Sequence, residues 1–195
     1  TFGTAVVFEA ANTMQTSCSF DSVSNKIVIA YQDAGNSDYG TAIVGNITSS
    51  TVLTFGTAVV FESAGAGAIS STFDTVANKI VISYQDQGNS YYGTAIVGTV
   101  SSTSISFGTA VVFEAANTSY TSAVFDTASG KVTISYQDNG NTGDATVSVG
   151  TVSGTAISFD AAVVVSTGNV FYLNSVYDST NNKVVIAYGD NAASD

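Results

Sequence analysis

Carboxylates are the only side chains charged at neutral pH that this sequence supplies in number. Its 195 residues hold 15 Asp and Glu against four Lys, with no Arg and no His, for a net charge of −11. The chemistry open to such a set is narrow. A serine-type triad and an imidazole zinc site both need histidine, so neither can be built. Glycoside hydrolysis needs two carboxylates in contrasting environments. Calcium needs several oxygens at close spacing, and one element offers some: QDAGNSDYGTAIVG at 32–45, QDQGNSYYGTAIVG at 85–98 and the altered QDNGNTGDATVSVG at 137–150. Asp33 with Asn36, and Asp86 with Asn89, are the weak calcium candidates. The element lacks the further carboxylates of a D-x-[DN]-x-[DN]-G loop. The expected role of Asp33, Asp86 and Asp138 is therefore to hold a turn, with no cofactor.

Most of the other acids are repeats as well. Lys26, Lys79, Lys131 and Lys183 recur at intervals of 53, 52 and 52 residues. Asp21, Asp74, Asp126 and Asp178 follow the same interval, as do Asp33, Asp86, Asp138 and Asp190, and Glu9, Glu62 and Glu114. Internal periodicity of this length marks a repeat architecture, with units at 1–53, 54–105, 106–157 and an incomplete 158–195. The extra residue of the first interval falls within 46–53, as an insertion in a surface turn would. Only Asp38, Asp144, Asp160 and Asp195 break the symmetry. Each falls at an expected turn or terminus, where a solvated carboxylate is the expectation. No enzyme is expected.

The elements that hold these residues read as strands. Short runs rich in β-branched residues alternate at period 2, as in Lys131–Gln137 and Ala145–Val149, and no stretch carries a helical pattern. The turns FDSVSNK, FDTVANK, FDTASGK and YDSTNNK place Asn25, Asn78, Gly130 and Asn182 before the Lys, where a positive φ is expected. The Asp of each turn, from Asp21 to Asp178, is expected to accept backbone N–H bonds. The fold class is all-β. Four antiparallel strands in about 52 residues suggest blades of a β-propeller, with a β-solenoid as the alternative. In this reading Thr16–Phe20 is the inner strand, Lys26–Gln32 and Thr41–Ile47 follow, and Leu53–Phe61 is outermost. Phe2–Phe8 becomes an outer strand without its blade. The chain then looks like a segment of something longer, with one third strand missing from any closed ring. The single Cys18 aligns with Ser71, Ala123 and Ser175 and is expected to be a small buried residue.

The copies differ most in the links AANTMQTS (10–17), SAGAGAIS (63–70), AANTSYTS (115–122) and STGNVFYLNS (166–175). In a four-stranded meander these links share one face with the QDxGNSxY turns. A constant frame with variable loops suits a binding surface. Asn12, Gln15, Asn117, Tyr120, Asn169, Phe171, Tyr172 and Asn174 are the candidates, because amides and aromatic rings suit sugars. Neutral drift in exposed loops is the alternative. A nucleic-acid partner is not expected, since no cationic stripe can form. Nor is membrane insertion, since no apolar run is long enough.

Two resemblances add to this reading. The Asp-x-Gly-Asn-Ser/Thr element resembles the Asp-box hairpin of sialidase-like propellers, with one extra residue before Tyr39 or Tyr92. That resemblance implies a structural turn at Asp33, Asp86 and Asp138. Sialidase activity does not follow, because that family grips its substrate carboxylate with arginines and this chain has none. The cadence GNSxYGTAIVGTVSxTSISFGTAVVFE resembles tandem repeats in large proteins of marine bacteriophages and aquatic microbes, often virion-associated. Two later copies depart from it, with Asp144 in place of the Tyr and Gly189 in place of the Gln. This second resemblance implies a tail-fibre, spike or adhesin domain on a virion or outside the cell. Its partners would be a glycan or cell-surface receptor and other subunits of the assembly, and a purely architectural repeat is the alternative.

Overall fold

The computed structural model describes residues 3–49 and 52–191. Among them the fold is all-β, with fifteen strands and three one-turn 3-10 helices. No helix there is long and apolar enough to cross a membrane. Grouped by strand pairing rather than by the sequence repeats, unit 1 comprises β1 (Thr13–Asp21), β2 (Lys26–Asp33), β3 (Tyr39–Ser49), β4 (Val52–Phe55) and the start of β5 (Val59–Asp74). Unit 2 takes the rest of β5, then β6 (Lys79–Asp86), β7 (Tyr92–Ser101), β8 (Ser104–Phe107) and the start of β9 (Val111–Asp126). Unit 3 continues with β10 (Lys131–Asp138), β11 (Asp144–Ser153), β12 (Ala156–Phe159) and β13 (Val163–Ser166). Unit 4 is the hairpin of β14 (Val170–Asp178) and β15 (Lys183–Asp190).

All pairings are antiparallel, and β5 and β9 each serve two units. The first part of β5 pairs with β3, ending with Gly65 opposite Tyr39, and the next residue, Ala66, opens the pairing with β6 opposite Asp86. Strand β9 does the same at Asn117 and Thr118. The result is one sheet of thirteen strands plus the separate β14–β15 hairpin. This sheet is open: no ring closes among the described strands.

Several local expectations need correction. Ser63–Ser70 and Ala115–Ser122, read from sequence as loops, lie inside the continuous strands β5 and β9. Their small residues hide the strand, which is held by backbone pairing on both flanks. In the last copy the strand does break, at Thr167–Asn169, where Gly168 leaves extended geometry at φ 115°. Residues 3–8 form no strand, and Phe2 lies outside the described residues. The extra residue of unit 1 is absorbed by a register shift between Ile47 and Ser49 opposite β4. As expected, Asn25, Asn78, Gly130 and Asn182 all have positive φ, from 54° to 68°.

The core lies between units, each sheet packing its front face on the rear face of the next. Val28, Ala30, Ala42 and Val44 of unit 1 meet Phe73, Ile80, Ile82 and Ile96 of unit 2. Val81, Ala95 and Val97 of unit 2 meet Phe125, Val132 and Ile134 of unit 3 in the same way. Each fully buried Val or Ile contributes about 1.5–3 kcal/mol. Two polar latches recur at the junctions. Ser17, Ser70 and Ser122 accept on Oγ the backbone N–H of Ser71, Ala123 and Ser175 in the following unit (2.9, 3.0 and 3.0 Å). Tyr31, Tyr84 and Tyr136 are fully buried and donate to Glu9, Glu62 and Glu114 of the preceding segment (3.4, 3.1 and 2.9 Å). Phe8, Phe61 and Phe113 set their rings against the same tyrosines at 5.1–5.3 Å. In the fourth copy the Phe–Glu pair is replaced by Val165 and Ser166, and Tyr188 is 38% exposed.

Candidate functional site

The repeated acids are occupied by turns. Asp21, Asp74, Asp126 and Asp178 each accept the backbone N–H groups two and three residues on, at 2.8–3.2 Å. Hydrogen bonds to the ionised form favour it. The Ser129 hydroxyl and the turn amides hold Asp126 below its ordinary carboxylate range, and the Asn181 amide does the same for Asp178. In the β2–β3 and β10–β11 connections Asp33 and Asp138 accept from the N–H of Gly35 and Gly140, and in the β6–β7 connection Asp86 accepts from that of Asn89 (2.9–3.0 Å). Asn36 and Asn89 end the 3-10 turns that these carboxylates cap. Among the described residues no three His, Cys, Asp or Glu side chains gather as a metal site would require.

Of the acids that break the repeat, Asp144 departs from expectation. It is buried, not solvated, at 4% exposure. Its carboxylate accepts from Asn141 Nδ2 (2.8 Å), Thr142 Oγ1 (3.1 Å) and the Gly168 N–H (2.8 Å), tying the unit 3 turn to the broken link. Asp38 is half-buried, and Asp160 is exposed and paired with Lys131 Nζ at 2.9 Å. Asp195 lies outside the described residues. Cys18 is exposed rather than buried, with no other unit of the described residues packed on that face of unit 1.

Six of the eight candidate binding residues lie on β1, β9 and β14, the first strands of their units as β5 is of unit 2, and Asn12 and Asn169 immediately precede β1 and β14. Each of these strands carries a bulge at one repeat position, where the register against its partner shifts. The residue at that position has left-handed backbone: Gln15 (φ 52°), Ala68 (45°), Tyr120 (51°) and Tyr172 (53°). Such a φ is unusual for a bulky residue, and a bulge re-aims a side chain out of the regular alternation. Tyr120 and Tyr172 are 38% and 76% exposed, with ring centroids 5.7 Å apart in an edge-to-face arrangement. Phe171 adds a third ring 5.2 Å from Tyr172. A cleft of about 370 Å³ runs between Tyr120, Phe171 and Tyr172, with Gln137, Asn169 and Asn191 as its polar lining. A second cleft, of about 380 Å³, lies on the other side of Tyr120, along Gln15, Gln32, Gln85 and Gln87.

The eight candidates thus separate. Tyr120, Asn169, Phe171 and Tyr172 share the first cleft, and Gln15 borders the second. Asn117 and Asn169 are also structural, accepting from Gln85 and Gln137 Nε2 (3.1 and 2.8 Å) across the junction to the next unit. Asn12 is exposed and its carbonyl holds the Ala34 N–H. Asn174 lies away from both clefts, beside Val176 and Val185, and its Oδ1 accepts from Ser122 Oγ of unit 3 (3.3 Å). The glutamines of β2, β6 and β10 were not singled out from sequence. Their signal was the repeat-invariant Gln that Gly189 interrupts. There the ring of Phe171 lies over Gly189, and a Cβ at that position would come within 2.4 Å of it. A small residue opposite Gln in units 2 and 3 becomes Phe opposite Gly in unit 4.

No protein-family model matches this chain, and neither a curated protein nor a solved structure does.

Proposed function

We propose that this chain is a non-enzymatic β-propeller-type segment of a virion or extracellular surface protein, and that it binds glycans through the inner-strand clefts. The observation that carries the reading is the pair of tyrosines, Tyr120 and Tyr172, exposed on left-handed bulge residues around an amide-lined cleft. An aromatic ring presents an apolar face suited to a pyranose, and the flanking Gln137 and Asn169 amides suit its hydroxyls. Four units of one frame present Gln15, Ala68, Tyr120 and Tyr172 at the same place, so the repeat varies what it displays without altering its fold. The face-to-face stacking of four-stranded units supports a propeller whose remaining blades come from elsewhere. Low cationic content and the resemblance to phage and aquatic surface repeats support the setting.

The test is a glycan array and calorimetry on the soluble chain. A retained oligosaccharide is expected, and Tyr172→Ala should weaken it about tenfold, roughly 1.4 kcal/mol. Binding that ignores both Tyr172→Ala and Tyr120→Ala would move the site off this face, and no binding to any glycan or cell envelope would end the reading. A second reading, a purely architectural repeat, is favoured by the use of Asn117 and Asn169 to tie units together. Antibody labelling of the intact particle or cell separates the two: label at distal tips fits a receptor binder, and label along a shaft or shell fits a building block.

A further inference from the structure

Unit 2 writes its inner-strand link with the smallest side chains of the four copies. Gly65, Ala66, Gly67 and Ala68 stand where unit 3 has Asn117, Thr118, Ser119 and Tyr120. The bulge is the same, with Ala68 at φ 45° and Tyr120 at 51°, but no ring rises from it. The space between Gln15 of unit 1 and Tyr120 of unit 3 is therefore open. It forms the cleft of about 380 Å³, floored by Gly67 and Ala68. Thr121 Oγ1 donates to the Ala68 carbonyl, which fixes this floor to its unit 3 wall. Unit 2 has a unit packed on each side, so the cleft belongs to the interior of the array.

One residue of the cleft lacks the bonds its repeat counterparts make. Gln32 is 6% exposed and lines the cleft. Gln85 Nε2 donates to Asn117 Oδ1 and the Thr118 carbonyl, and Gln137 Nε2 to Asn169 Oδ1 and the Val170 carbonyl. At the junction of units 1 and 2, Gly65 occupies the position of Asn117 and Asn169 and has no side chain to accept. The Gln32 side-chain amide makes no hydrogen bond to any described residue. A buried amide without partners is destabilising, and a bound molecule that supplies them removes the cost.

Electrostatics narrow the choice of molecule. No charged side chain lines the cleft. Lys26, Lys79 and Lys131 begin the strands that Gln32, Gln85 and Gln137 nearly end, which sets the cations about 20 Å away. The nearer charges are Asp33 and Asp86, directly after Gln32 and Gln85. A carboxylate or sulfate on the ligand would meet no cation there. An uncharged polyol pairs with an amide as donor and acceptor at once, and the Tyr120 ring offers a pyranose an apolar face.

Resting on the glycan-binding reading above, we infer that the cleft over unit 2 is a subsite for an uncharged hexose unit, with Gln32 as the residue that recognises its hydroxyls. Tyr120 also lines the cleft it shares with Tyr172. One neutral glycan chain thus runs from the unit 2 subsite across Tyr120 into the second cleft.

Calorimetry of the 195-residue chain with neutral gluco-, galacto- and manno-oligosaccharides, and with their uronate-bearing and sulfated counterparts, tests this. Neutral chains should bind and the anionic ones should not. Gln32→Met nearly keeps the volume and removes the amide. It should weaken binding about tenfold without lowering the melting temperature, whereas Gln137→Met loses bonds made within the fold and should lower it. Ala68→Tyr sets in unit 2 the side chain that units 3 and 4 carry at the same backbone geometry. It should block the subsite with the circular dichroism spectrum unchanged. A melting temperature for Gln32→Met that falls as far as that of Gln137→Met overturns the inference, since the amide would then be bonded within the fold. So does preference for the anionic sugars. Neutral binding that Tyr172→Ala weakens but Gln32→Met and Ala68→Tyr leave intact also overturns it, while the broader glycan reading stands. No binding to any of these sugars overturns it as well, and a wider glycan array then decides the broader reading.

Discussion

The tyrosine latch gives a prediction with its control inside the same molecule. Tyr84→Phe removes one hydroxyl from a fully buried ring and leaves its packing on Phe61 unchanged. The lost bond runs to the Glu62 carboxylate at 3.1 Å, and Glu62 keeps its second bond, from the Ala64 N–H at 3.0 Å. A hydrogen bond to a charged group contributes about 1.5–3 kcal/mol. The surviving bond to Glu62 places the expected cost near the lower end, about 1–2 kcal/mol. For a chain of this size that lowers the melting temperature by roughly 2–8 °C. Tyr188→Phe makes the same chemical change at the same repeat position, but Tyr188 faces a copy without the Phe–Glu pair and is 38% exposed. Its cost should stay within about 0.5 kcal/mol. Urea titrations of both variants, with Glu62→Gln and the double mutant, complete the cycle. Equal midpoint shifts for Tyr84→Phe and Tyr188→Phe, or no coupling between Tyr84 and Glu62, would refute the latch.

Other expectations follow from the same contacts. Burial, with the nearby glutamates, pushes the phenols of Tyr31, Tyr84 and Tyr136 well above their ordinary value. The folded chain therefore keeps protons that the unfolded chain releases above pH about 10. Stability is fully present below that pH and declines above it, so the phenolate absorbance of these three among the ten tyrosines should appear only with unfolding; free titration of these three rings in the folded chain would contradict it. Asp86→Ala frees the Asn89 N–H of the β6–β7 connection and should cost about 1 kcal/mol in a denaturant titration. A loss of calcium-dependent stabilisation in its place would reassign the carboxylate to a metal. Gly189→Gln should destabilise unit 4 by about 1–3 kcal/mol through collision with Phe171, and Phe171→Ser should relieve it by restoring the Ser–Gln pairing of unit 3. A thermal melt of both variants decides the point, and no relief would mean the rings are not the obstacle.

Much of the frame was legible because it rests on local rules. Asn25, Asn78, Gly130 and Asn182 announced positive φ, and the Asp before each turn announced its amide bonds. The strands with β-branched alternation were equally plain. What was hidden depends on neighbours distant in sequence. Residues 63–70 have little β-propensity, and only pairing with β3 and β6 makes them strand. Asp144 looked like a turn acid because nothing nearby in sequence shows that the Gly168 amide returns to it. Cys18 aligned with Ser71, Ala123 and Ser175, of which Ala123 is buried and the serines half-buried, but cover at that position comes from a neighbouring unit. The bulges that lift Tyr120 and Tyr172 have no Gly or Asn to mark them. Their side-chain types were visible from sequence, while the geometry that gathers them was not.

The strands shared by two units bear on how such a chain changes length. A unit boundary drawn at Gly65 and Ala66 cuts β5 in half, so no unit can be lifted out as a sealed module. Yet the two halves are interchangeable between copies, because β5 and β9 place the bulge, the capping Asp and the latch Ser at the same intervals. Unequal crossing-over between near-identical stretches of the gene would rejoin half of one strand to half of another and restore a whole strand at every breakpoint. Unit number can then rise or fall by recombination alone while each junction stays intact, and the inner-strand side chains are reshuffled in the same event.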